Sequence, residues 1–95
     1  MPSYIVETFL PRGAAGERSA RERRARSVAE KLTQERVRVR FERSIHVLED
    51  EICFFLFDAS SPGDATLAAE RAGLEPIRVL RAAVGEEAHD REEEA

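Results

Sequence analysis

The feature that most constrains this 95-residue chain is residues 53–57, CFFLF, which are apolar at every position. They follow a segment, residues 37–47, in which apolar and polar side chains alternate, with Arg43 the one charge on the apolar side. Successive side chains of a strand point to opposite faces. A strand with one face in a core and the other in water alternates, and residues 53–57 do not. Both of their faces need a cover. A chain this short makes one small domain with a modest core, and association often supplies the rest.

The remaining elements frame that strand. Residues 3–10, SYIVETFL, are rich in β-branched and aromatic side chains and read as a first strand, broken by PRGAAG. A helix is expected over 17–34, with Ala25, Val28, Ala29 and Leu32 spaced as one core-facing stripe. A second strand spans 36–47, LEDE turns the chain, and a third strand covers 52–58. Ser60 or Ser61 caps a second helix with Pro62 at its first position, and Gly73 ends it. A fourth strand lies within 76–84.

The order β-α-β-β-α-β predicts an α+β, ferredoxin-like sandwich. Two helices cover one face of a four-stranded antiparallel sheet, in the order 4-1-3-2. A tight turn at Glu49 and Asp50 pairs Val47 with Ile52, Ile45 with Phe54 and Arg43 with Leu56, on the helix side. Cys53, Phe55 and Phe57 then share the open face with His46, Ser44, Glu42, Ile5, Glu7 and Phe9. A one-residue change reverses these facings on a strand. An apolar patch of that size predicts a homodimer packed sheet on sheet.

Charge is segregated. The last eleven residues, GEEAHDREEEA, carry six acids and one Arg, while residues 12–43 hold 11 basic and 5 acidic groups. The expected organisation is a domain over 1–84 and an acidic, disordered tail over 85–95. No apolar run approaches the roughly 18 to 20 residues of a membrane helix, and the first residues do not read as a signal peptide. One Cys excludes an internal disulfide. The chain reads as a cytoplasmic protein with no membrane partner.

The segment LFDASSPGDATLAAERAGLEPIRVL, together with Tyr4, Val6 and Glu7 in a Tyr-x-Val-Glu strand, resembles a widespread family of small bacterial ferredoxin-like proteins that includes a nickel-binding member. The matching positions are Asp58, Ala59, Ser61 and Pro62, then Arg71, Ala72, Gly73 and Leu74. The resemblance spans nearly residues 3–82 and implies a dimer of the α/β-barrel type. Members often carry a Cys where this chain has Phe55, and some a His where it offers Ala69 and Glu70. Nickel binding therefore does not carry over by matching residues.

His46 and Cys53 are opposed across the second and third strands, at about 5 Å between Cβ atoms, and are the metal-ligand candidates. The alternative is an exposed strand histidine beside a buried small hydrophobe, since two donors fall short of a structural site's four. Glu7 reads as a general base or as an ion-pair partner of Arg38 or Arg40. A ligand site on the open face would be lined by Glu7, Phe9, Arg40, Phe55 and Phe57. The arginine-rich helix and aromatic sheet also invite an RNA reading. The RRM signature is missing, however, and Glu17, Glu22 and Glu30 interleave with the arginines. There is no catalytic triad, phosphate loop or dinucleotide fingerprint.

The leading expectation is a small dimeric binding protein with a small-ligand or transition-metal site, nickel included, on the open sheet face. The alternatives are a cofactor-independent, monooxygenase-like dimeric α/β-barrel enzyme using Glu7 or His46, and a protein-interaction module.

Overall fold

The computed structural model describes residues 1–85. Its elements are β1 (Ser3–Phe9), α1 (Glu17–Gln34), β2 (Val39–Val47), β3 (Ile52–Ala59), α2 (Pro62–Arg71) and β4 (Arg78–Ala82), with one 3-10 turn at Arg12–Ala14. The fold is α+β. The strands form one sheet in the order β2-β3-β1-β4, every neighbour antiparallel. The expected acidic tail, residues 85–95, lies outside the described residues apart from Gly85. Among the described residues no helix is long and apolar enough to cross a membrane.

Local chemistry sets the helix ends. Ser61 Oγ accepts a hydrogen bond from the Asp64 amide at 3.1 Å, and Pro62 opens α2 with its fixed φ. Gly73 closes α2 at φ 72°, with Leu74 N–H bonded to the Ala69 carbonyl and Gly73 N–H to that of Glu70, a Schellman motif. The end of α1 repeats this pattern. Val37 N–H reaches the Leu32 carbonyl and Arg36 N–H that of Thr33, but the left-handed residue, at φ 73°, is Arg36.

Both helices lie on one face of the sheet, α1 chiefly over β2 and α2 over β1, β3 and β4. The helices contribute mostly small side chains, Ala25, Ala29, Ala65, Ala68, Ala69 and Ala72, with Leu32. The sheet supplies the bulk through Tyr4, Val6, Phe41, Phe55 and Phe57. The Phe41 ring centre lies 5.4 Å from that of Phe57 and 6.1 Å from that of Phe55. Small helix residues bring the helices close to the sheet, and the aromatics fill the layer to close packing. Thr8 Oγ1, buried in that layer, donates to the Cys53 carbonyl at 2.8 Å.

The hairpin pairs as its turn predicts: Val47 with Ile52, His46 with Cys53, Ile45 with Phe54 and Arg43 with Leu56. The facing is the reverse of expectation. Cys53, Phe55 and Phe57 are all 0% exposed and point to the helices, beside Thr8, Val6 and Tyr4 on β1. Ile45, Phe54 and Leu56 lie on the open face instead. The reason is a β-bulge between Phe41 and Arg43. Glu42 is the extra residue, so alternation changes phase there. Val39 and Phe41 before it, and Ser44 and His46 after it, all turn toward the helices. Read as an unbroken strand, Phe41 and Ile45 would share a face, and they do not.

Candidate functional site

The open sheet face is a grid of cross-strand rows. The first row is Val47, Ile52 and Phe9; the second is Ile45, Phe54, Glu7 and Arg78. The third row is Arg43, Leu56, Ile5 and Leu80, and the fourth Arg40, Asp58, Ser3 and Ala82. Polarity thus rises from an apolar end to a charged end. Phe9 is 55% exposed, Ile45 54% and Leu80 43%, while Ile5, Phe54 and Leu56 are half-buried by their row neighbours.

At the charged end, Arg40 Nη2 contacts Asp58 Oδ2 at 2.8 Å and Glu42 Oε2 at 2.6 Å. Ser3 Oγ donates to Asp58 Oδ1 at 2.8 Å. A hydrogen bond joining the two carboxyl groups, reinforced by burial and by the Asp58 charge, pushes Glu42 up despite Arg40. Burial works to raise Asp58 as well, but hydrogen bonds from Glu42, Arg40 and Ser3 outweigh it and hold that carboxyl down. Asp58 is therefore the carboxylate and Glu42 the more readily protonated partner. The bulge makes this cluster, because it places Glu42 beside Arg40 on the same face.

Glu7 is in the second row, and its partner is Arg78 of β4, Nε to Oε1 at 2.7 Å, in place of Arg38 or Arg40. Of the residues expected to line a ligand site, Glu7, Phe9 and Arg40 are on this face. Phe55 and Phe57 are not; they belong to the core. Ile45, Phe54, Leu56, Asp58 and Ser3 take their place. Asp58 opposite Arg40 follows from the hairpin register once the bulge is counted. The partner of Glu7 follows only from the pairing of β1 with β4.

His46 and Cys53 are directly opposed, as the register predicts, but on the helix face. His46 Nε2–H donates to the Leu10 carbonyl at 2.8 Å, which fixes the tautomer. Burial pushes the Cys53 thiol up, against the pull of Arg18 and Arg21. Ser44 Oγ bonds Glu22 of α1 beside this pair. Among the described residues no group of three or more His, Cys, Asp or Glu side chains is placed to hold a metal ion. One imidazole and one buried thiol are two donors, fewer than the four of a structural transition-metal site.

The geometry defines an α+β protein with an amphipathic open sheet face. No family model matches the chain, and neither the curated proteins nor the solved structures contain a match.

Proposed function

We propose that this protein is a ferredoxin-like homodimer that packs open sheet face to open sheet face and binds a small organic molecule in the cleft between the two copies. One observation carries this reading: Phe9, Ile45 and Leu80 stand out to solvent on a face whose centre is Ile5, Phe54 and Leu56. A contiguous apolar surface of this kind marks an interaction site. The charges on the face suit a second copy. Glu7 is neutralised by Arg78, and Arg40 by Asp58 and Glu42, within each chain. Isologous packing therefore buries no bare charge. Arg43, which forms no ion pair among the described residues, sits on edge strand β2, where it reaches water.

The ligand reading follows from the gradient along the rows. An apolar body fits over Phe54, Leu56 and Phe9, and a polar end meets Arg40 and Arg43. The family resemblance of the sequence agrees with a dimer of this type. The enzyme alternative has less support. Glu7, its acid–base candidate, is held by Arg78, and His46 faces the helices.

Native mass spectrometry of the purified protein tests the reading, with sedimentation equilibrium on wild type and Ile45→Lys. The expected result is a wild-type dimer carrying bound small-molecule mass, and a folded Ile45→Lys monomer without it. A wild-type protein that stays monomeric and bare at the highest concentration reached overturns the proposal.

A further inference from the structure

A second surface borders the open face at Arg40. Between α1 and the edge strand β2 runs a groove of about 700 Å³. Its floor is the buried Ala29, Val39 and Phe41, and around them stand Arg26, Arg38 and Arg40 with one acid, Glu30. Arg26 is stacked over the Phe41 ring, 5.1 Å from its centre. Arg40 is engaged by Asp58 and Glu42, but Arg26 and Arg38 form no ion pair among the described residues. Free guanidinium groups over an apolar floor, at a sheet edge, suit an extended acidic chain.

This chain carries such a segment. Residues 86–95, EEAHDREEEA, hold six acids against one Arg. The sheet delivers it to the correct end. Ala82, the last residue of β4, pairs with Ser3, Ser3 with Asp58, and Asp58 with Arg40. Three strand spacings put Arg40 about 14 Å from the end of β4. Ten residues span up to about 33 Å when extended, so the acids have the length to reach Arg38 and Arg26. The other basic groove, at Arg23, Arg24 and Arg71, offers less. Arg24 Nε donates to the Ala72 carbonyl and Arg71 pairs with Glu35, which leaves Arg23 alone.

We propose that the acidic run 86–95 docks within its own chain in the groove between α1 and β2, its carboxylates on Arg26 and Arg38. Docked there, it screens the basic half of the molecule, and any other polyanion has to displace it.

Paramagnetic relaxation enhancement on the full chain tests this. A nitroxide is attached at Ala95→Cys; Cys53 is 0% exposed and stays unlabelled. At low salt the amide signals of residues 29–34 and 38–41 are expected to lose most of their intensity. Raised salt, or the double substitution Arg26→Gln with Arg38→Gln, restores them. Glu92→Gln, Glu93→Gln and Glu94→Gln together are expected to shift the same amides without a label. Broadening confined to the open face or to the first half of α1, or unaffected by the arginine substitutions, overturns the proposal. Broadening that persists when labelled unenriched chains are mixed with unlabelled ¹⁵N chains places the segment on another copy, and overturns docking within the chain.

Discussion

Phe54 and Phe55 are neighbours on β3 that point to opposite faces, so truncating each to alanine compares the faces directly. Phe55 is 0% exposed, packed in the helix–sheet layer against Phe41. A buried aromatic removes about 150–250 Å² from water, worth about 4–6 kcal/mol at ~25 cal/mol/Å², in line with the about 3–5 kcal/mol measured for Phe→Ala in cores. A domain of this size has about 4–13 kcal/mol of total stability. Phe55→Ala is thus expected to take a large share of it or to unfold the chain. If it unfolds, the milder truncation Phe55→Leu, which keeps most of the apolar volume, is expected to cost about 1–2 kcal/mol. Phe54 is half-buried, and its truncation is expected to cost about 1–2 kcal/mol in dilute solution. That cost rises with protein concentration if a second copy covers the face. Urea denaturation followed by far-UV circular dichroism, with the slope checked for constancy, gives both numbers. If Phe54→Ala costs as much as Phe55→Ala in dilute protein, the assignment of faces and the role of the bulge are wrong.

The two Schellman ends make a matched pair: Arg36→Gly is expected to stabilise by about 1 kcal/mol and Gly73→Ala to destabilise by at least that, read as opposite shifts in the thermal midpoint. A Cβ at Gly73 meets only Arg24 at 3.9 Å, an ordinary contact, so the cost there is backbone conformation and not crowding. At Glu42 the carboxyl is raised, so its charged form is disfavoured in the fold; the penalty is present above the carboxylate range and fades as pH falls through it. Glu42→Gln is therefore expected to gain stability at neutral pH, by under about 1 kcal/mol for a group at the surface, and to lose that gain as pH falls through the carboxylate range; a gain that grows in acid refutes the coupling to Asp58.

Much of this architecture is legible from residue types. The Ser61-Pro62 start and Gly73 end of α2 follow from side-chain chemistry alone. The extent of α1 and the hairpin register follow from spacing and from the LEDE turn. The facing of β3 does not, because a bulge leaves no mark in composition. The order of residues does carry one mark: Arg43 puts a charge where unbroken alternation calls for an apolar side chain, but that alone does not say that Glu42 is the extra residue and that Phe41 and Ser44 share a side. Glu42 also hides the site. Counting through it carries Phe55 and Phe57 to the open face and removes Phe54 and Leu56. The ring sizes were a usable signal, since alanine-lined helices leave a layer that only large sheet residues fill. The Glu7–Arg78 pair joins residues 71 apart and needs the pairing of β1 with β4, which no local pattern specifies.

The two-sided apolar character of β3 also bears on how the chain assembles. β2 and β3 meet through a short turn and are the cheapest pairing to form. β1 must close a loop of more than forty residues to reach the other side of β3. Until it does, the hairpin presents CFFLF with one hydrogen-bonding edge bare, no Pro and no charge. Such a segment pairs with its own kind across molecules. Arrival of β1 therefore ends the interval in which this chain is open to self-association through β3. Substitutions that delay that arrival, in β1 or at its Thr8 bond to Cys53, raise aggregation during refolding out of proportion to their cost in the finished fold.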